Sequence, residues 1–214
     1  MENQSDDVPL GPVKVGVVFN LKRAESSPSS APDAQAEYDN IETVQAIEKA
    51  IQNRGIATVL MEADEHLLSK LTSQRPDIVF NIAEGRGGRA REAQVPALLN
   101  LLDIPFTGSD ETTLCLALDK ALTKRLLSTY KVPTPRYRVF SPGDAVNASS
   151  LRFPVIVKPN AEGSSKGIAD VCIAKNVREL KTLVQNNLAL YGGSVLVEEF
   201  VSGREFTVGL LGNG

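Results

Sequence analysis

Between Val13 and Ile82, short apolar runs alternate with stretches whose apolar residues recur every three or four positions. That alternation restricts the fold more than any other feature of the chain. Val15-Gly16-Val17-Val18-Phe19 is nearly all apolar, the pattern of a central parallel strand covered on both faces, and predicts a strand over 13–20. Ile41, Val44, Ile47 and Ile51 form a helical stripe within 37–54, closed by Gly55 at a C′ position. A strand over 56–61 and a helix over 63–74 follow, with Leu67, Leu68 and Leu71 inward. Pro76 ends that helix, and a strand over 77–82 completes the series. Strand, helix, strand, helix, strand specifies a parallel sheet. Only the Ser/Pro-rich stretch 21–36 breaks the pattern, as a mobile loop long enough to close over a ligand.

Beyond Ile82 the spacing predicts a Gly/Arg loop over 85–91, a helix over 92–102 with Pro96 in its first turn, and an extended piece over 105–109. A helix over 119–130 then carries Leu122, Leu126 and Leu127 on one face, before the stiff Val132-Pro133-Thr134-Pro135. From Arg136 the grammar changes to strands at 136–140, 155–158, 168–173, 195–200 and 206–211. One helix over 177–190 interrupts them, capped by Asn176 with Glu179 and ended by Gly192-Gly193. The reading is an α/β chain in three parts. Residues 1–12 are a disordered tail, 13–118 an N-terminal parallel α/β domain of Rossmann-like kind, and 119–214 a small antiparallel α+β domain.

Composition removes several functions. A length of 214 residues with 42% hydrophobic residues suffices for two packed cores. A net charge of −3 and a pI near 5.4 argue against nucleic acid held by bulk electrostatics, and aromatic residues, at 5%, are too few for base-stacking surfaces. No apolar run approaches the ~18 residues of a membrane span, and the N-terminus has no secretory pattern. Cys115 and Cys172, distant and set among apolar residues, read as buried reduced thiols, which points to the cytoplasm. The single histidine, His66, reads as an exposed surface residue; no His/Cys metal site or Ser/His/Asp triad assembles.

Two motifs bear chemistry. Gly85-Arg86-Gly87-Gly88-Arg89-Ala90 satisfies G-x-G-x-x-A, with Asp103 downstream, and offers an NAD(P)-dependent oxidoreductase as one alternative. It follows the third strand rather than the first, however, and a turn needing positive φ explains it more simply; Arg86, Arg89 or Arg91 are placed to meet a carboxylate or phosphate. The second motif is Val155-Ile156-Val157-Lys158-Pro159-Asn160-Ala161-Glu162-Gly163-Ser164-Ser165-Lys166-Gly167, a strand that carries Lys158 to the edge of a small-residue loop suited to phosphate. Alone it reads equally as a glycine-rich hairpin tip. Lys120 at a helix start, Glu198 and Glu199 on an apolar strand, and Glu205 beyond it supply the other ingredients of an ATP pocket.

These segments, with Glu92-Ala93-Gln94-Val95-Pro96 and Ile104-Pro105-Phe106-Thr107-Gly108-Ser109, resemble in order the D-alanine–D-alanine ligase family of the ATP-grasp superfamily. The resemblance implies a pre-ATP-grasp domain followed by the ATP-grasp central subdomain. By similarity, Lys120 and Lys158 contact ATP phosphates and Ser164 and Ser165 cover them. Glu198, Glu199, Phe200 and Val201 line adenine, and Glu205 takes the ribose. Glu37 matches the acidic residue on the catalytic, substrate-binding side. The chemistry implied is carboxylate activation as an acyl phosphate followed by amine attack, with ATP and Mg²⁺. The substrates are small molecules, an amino acid such as D-alanine, in peptidoglycan synthesis, and a homodimer is compatible. The family's metal ligands are expected beyond residue 214, and a non-catalytic nucleotide-binding module is the second alternative. Two departures stand out: Ala83-Glu84 replaces a histidine common in the family, and Glu199 reverses the charge of a common lysine.

Overall fold

The computed structural model describes residues 12–23, 33–164, 166–167, 172–210 and 212. Residues 1–11 of the expected tail, 24–32 of the expected loop, 168–171 of the expected strand 168–173, and Leu211 lie outside the described residues. The chain divides into two compact units, Met1–Leu126 with Asn160–Lys166, and Leu127–Pro159 with Gly167–Gly214.

The first unit contains a parallel sheet in the order β2-β1-β3, from β1 (Lys14–Phe19), β2 (Ala57–Glu62) and β3 (Ile78–Asn81). β1 is central, with Val17 opposite Leu60 on one side and Phe80 on the other. Successive side chains on a strand face opposite sides, and both sides are apolar here. Val18 packs with Met61 and Val79 beneath α2 (Leu67–Gln74) and α3 (Gln94–Leu101). Val17 and Phe19 pack with Val44 of α1 (Ile41–Gln52). Leu71 and Leu99 are fully buried, each worth roughly 1.5–3 kcal/mol of transfer free energy. The 105–109 piece extends the sheet: Val79 N–H donates to the Pro105 carbonyl (2.8 Å) and Thr107 N–H to the Val79 carbonyl (2.9 Å).

Helix boundaries and faces depart from expectation in places. α1 begins at Ile41 rather than Glu37, leaving Glu37 in a turn, and α2 begins at Leu67. Leu68 is half exposed, because Leu67 and Leu71, one helical turn apart, take the inner face. Pro96 sits in the first turn of α3, behind a 3₁₀ turn at Arg91–Ala93. A helix absent from the sequence reading, α4 (Glu111–Leu118), is capped by Asp110, whose carboxylate accepts Thr113 N–H at 2.7 Å. In α5 (Lys120–Thr129) the buried residues are Ala121 and Lys124, and Leu126 is exposed.

The second unit contains an antiparallel sheet, β4-β7-β5-β6, built from β4 (Tyr137–Phe140), β5 (Val155–Pro159), β6 (Ile173–Ala174) and β7 (Val195–Glu199). One face, with Val155, Val157 and Val197, packs on Leu180 and Val184 of α6 (Val177–Tyr191). The stretch 206–210 is not a strand: it has no paired neighbour among the described residues, and Phe206, Val208 and Leu210 are largely exposed. Cys115 and Cys172 are both free thiols; Cys172 is buried and Cys115 only half-buried. The cap of α6 is as the sequence implies, with the Asn176 side chain accepting Glu179 N–H at 3.0 Å and Glu179 accepting Lys175 N–H at 2.7 Å. Asn176→Ala is expected to destabilise the chain by about 1 kcal/mol, read as a lowered urea midpoint.

Candidate functional site

The carboxyl ends of parallel strands are where open α/β sheets place ligands, and in the first unit these ends are tied together by Asn20. Its side chain accepts the N–H groups of Glu84 and Gly85, both at 2.9 Å, and donates to the Ala63 carbonyl at 3.2 Å. The residue after β1 thereby fixes the segments that follow β2 and β3. Nothing in the sequence reading singled out Asn20; its signal was a polar residue at the very end of an apolar run. Gly85 has φ +75, and a Cβ there would lie 1.9 Å from the Arg91 carbonyl oxygen. Gln94 clamps the same loop, accepting Arg86 N–H at 2.9 Å and donating to the Arg86 carbonyl at 3.1 Å. The three arginines of this region do meet carboxylates: Arg86 with Glu65 (2.5 Å), Arg89 with Asp119 (2.7 Å) and Arg91 with Glu37 (2.6 Å).

The Arg91 pair is the most buried, its side chains only 7% and 2% exposed. Glu37 uses both carboxylate oxygens. One accepts Arg91 Nη2 (2.6 Å) and Gly163 N–H (2.7 Å); the other accepts Arg91 Nε (3.2 Å) and lies 3.7 Å from Lys166 Nζ. Arg91 also donates to the Ala161 carbonyl (3.0 Å) and the Glu162 carboxylate (3.1 Å). Thus the loop after β5, residues 160–166, packs within the first unit. At its start the Asn160 side chain accepts Ala121 N–H (2.9 Å) and donates to Asp119 (2.8 Å), and its carbonyl accepts Lys120 N–H (3.0 Å). Lys120 Nζ donates to the Glu162 carbonyl, and Lys166 pairs with the Glu162 carboxylate at 2.6 Å. Ser164 is exposed at φ 44; Ser165 lies outside the described residues.

The remaining candidates belong to the second unit. Lys158 on β5 and Glu198 on β7 form an ion pair, their side chains 18% and 10% exposed, on the sheet face opposite α6. Glu199 points the other way by strand alternation. It accepts Arg152 N–H at 2.9 Å and pairs with the Arg152 guanidinium at 3.2 Å, and this bond to Arg152 holds its carboxyl below the usual range. Phe200, Val201 and Glu205 are exposed along the chain after β7. Glu37, Lys120 and Ser164 are therefore found in one unit, and Lys158, Glu198, Glu199, Phe200, Val201 and Glu205 in the other.

The chain is similar to known proteins in both sequence and fold. Residues 126–214 match the family model described as D-ala D-ala ligase C-terminus. The D-alanine–D-alanine ligase of Aquifex aeolicus is 38% identical over 173 residues, 80% of this chain and 57% of that protein. D-alanine–D-alanine ligase B of Pseudomonas putida is 36% identical over 200 residues, 92% of this chain and 58% of that one. Over most of its length the chain is similar to D-alanine–D-alanine ligases. The fold agrees: a crystal structure of the Bacillus anthracis D-alanine–D-alanine ligase superposes with a TM-score of 0.69 at 22% identity, covering 89% of this chain and 58% of that one. A second, complexed with ATP, gives 0.67 at 20% identity, with 89% and 60% covered. The chain spans a little under three-fifths of the curated relatives it matches.

In the first unit, Glu37, Glu84 and Glu92 bring carboxylate oxygens within 4.8 Å of one another. Magnesium, which the family implies, does not fit them: Glu37 has both oxygens committed, Arg91 stands among the three, and Mg²⁺ needs a near-octahedral oxygen shell. Burial, followed by the charges of Glu92 and Glu37, pushes the Glu84 carboxyl up to about 7 against the opposing pull of Arg91. Burial and the Glu37 charge also raise Glu92. Between its usual value of 4.5 and about 7, Glu84 keeps in the folded state a proton that the unfolded chain releases, so its contribution to stability is lost as pH rises through that window. The melting temperature of the wild type minus that of Glu84→Gln is expected to fall between pH 4.5 and pH 7. A difference that stays level across that range would contradict the shift.

Proposed function

We propose that this chain carries the N-terminal and nucleotide-binding portion of an ATP-dependent carboxylate–amine ligase that forms a dipeptide, with an amino acid such as D-alanine as substrate. The observation that carries the reading is the Lys158–Glu198 pair. A lysine and a carboxylate, both largely buried, stand on the sheet face opposite α6, at the strand end that leads into a small-residue loop, in a chain similar to D-alanine–D-alanine ligases. The similar D-alanine–D-alanine ligases, and the Bacillus anthracis ligase complexed with ATP, support the same chemistry.

In this reading Lys158 and Lys120 neutralise phosphate oxygens, and Ser164 and Ser165 contact them from the loop. Glu198 to Val201 border the adenine and Glu205 meets the ribose. A substrate carboxylate oxygen bonds to the γ-phosphorus and ADP leaves with the electron pair of the broken P–O bond. The amine nitrogen then attacks the acyl carbon, phosphate departs, and the amine gives up a proton. Phosphoryl transfer asks for positioning and charge neutralisation more than for a protein nucleophile, which suits a site of lysines, backbone N–H groups and carboxylates. Magnesium would supply further neutralisation of the triphosphate when bound. Glu37, the residue matched to the substrate side, is held by Arg91 and Gly163 here, so the carboxylates it leaves for a substrate ammonium are Glu84 and Glu92. The dipeptide would serve peptidoglycan synthesis in the cytoplasm, where ATP is supplied.

Replacing Lys158 with Ala removes one charge-assisted contact and is expected to weaken Mg-ATP binding by about 1–3 kcal/mol. Isothermal titration of both chains with Mg-ATP measures this, and equal affinities would remove Lys158 from the phosphate site.

A further inference from the structure

Three consecutive residues of the 160–166 loop are held by one buried pair. Arg91 binds the Ala161 carbonyl (3.0 Å) and the Glu162 carboxylate (3.1 Å), and Glu37, itself gripped by two nitrogens of Arg91, accepts Gly163 N–H (2.7 Å). The fit is close: a Cβ on Gly163 would lie 3.0 Å from a Glu37 oxygen and 3.3 Å from one of Glu92. Arg91 is suited to this work by its planar fork of donors: Nε and Nη2 meet the Glu37 carboxylate, Nη2 also serves the Glu162 carboxylate, and Nη1 reaches the Ala161 carbonyl; an ammonium lacks that geometry. Burial by itself would lower the guanidinium's pKa, but the Glu37 hydrogen bond and the charges of Glu37, Glu162 and Glu92 carry it above its ordinary value, so it stays charged.

We infer that Arg91 is a positioning residue for nucleotide binding, fixing residues 161–163 so that the loop stands ordered, with Ser164 in place, before any nucleotide arrives. This rests on the reading that the loop covers ATP phosphates. A loop ordered in advance spares the ligand the entropy of ordering it. With Arg91 removed, that entropy falls on the binding step, and ATP must do the ordering.

Amide hydrogen exchange of the 214-residue chain tests the inference, with Mg-ATP as the probe ligand. Amides 161–164 are expected to exchange slowly in the wild type with or without Mg-ATP. In Arg91→Ala they exchange at least about tenfold faster without nucleotide, the scale of losing one charge-assisted hydrogen bond, and slow again when it saturates. The ATP dissociation constant rises by a similar factor. Arg91→Lys, which keeps the charge without the fork, falls between the two and serves as the reading if Arg91→Ala does not fold. Unchanged exchange at 161–164 in a variant whose β1–β3 amides remain protected overturns the positioning role. If the wild type binds no Mg-ATP, the nucleotide reading fails by itself, while the exchange difference without nucleotide still decides whether Arg91 holds the loop.

Discussion

A carboxylate removed from water has to find its counter-charge inside the protein, and Glu37, with 2% of its side chain exposed, finds it in Arg91. Removing either partner of such a pair leaves a buried charge uncompensated, at a typical cost of about 3–5 kcal/mol. The pair makes three segments distant in sequence interdependent. Glu37 lies in the turn before α1, Arg91 follows the Gly/Arg loop after β3, and residues 161–163 follow β5. None of these segments is a sheet strand, so none is ordered by ladder hydrogen bonds; Arg91 opens the short 3₁₀ turn Arg91–Ala93. What joins them is a set of charge-assisted bonds: Arg91 to Glu37, and both of these to residues 161–163.

Around this pair the local charge is balanced closely. Glu37, Glu84, Glu92 and Glu162 face Arg91, Lys166 and Lys120, and the carboxylates that lack a guanidinium of their own respond by holding protons to higher pH. Asp119 shows the opposite outcome. Burial would raise it, but the N–H of Leu122, the Asn160 amide and Arg89 together bring it below the ordinary value. The difference between Glu84 and Asp119 is one of donors supplied. Asn20 spends its side-chain oxygen on the backbone of Glu84 and leaves the carboxylate itself to its neighbours' charges.

The alternation of apolar runs gave the parallel sheet because β1 is covered on both faces and cannot disguise that in its composition. The antiparallel character of the second half was readable for a similar reason, with the helix face of its sheet drawn from Val155, Val157 and Val197. Lys158 and Glu198 were each picked out as site residues, but their pairing depends on β5 and β7 being neighbours in one antiparallel register, which strand alternation alone does not specify. Side-chain faces were harder: Leu68 and Leu126 looked inward by type, yet each lies off the stripe its helix buries. α4 was missed because its one clear signal, Asp110 as a cap, precedes a segment with little apolar periodicity. The Arg91–Glu37 bond joins residues 54 positions apart, and local spacing contains nothing about it. Glu37 was noticed only through likeness to a family, and Arg91 only as one of three arginines in want of an anion.

The expected strand at 206–211 failed for another physical reason: a strand is a relation between two segments, and its own residues describe only half of it. Phe206, Val208 and Leu210 keep the period-two apolar pattern while their backbone finds no ladder among the described residues. Such a stretch is a template for any extended chain that meets it, including another molecule of the same kind. Covering Phe206, Val208 and Leu210 would take three largely exposed apolar side chains out of water, a gain that depends on their area and not on the chain's net charge.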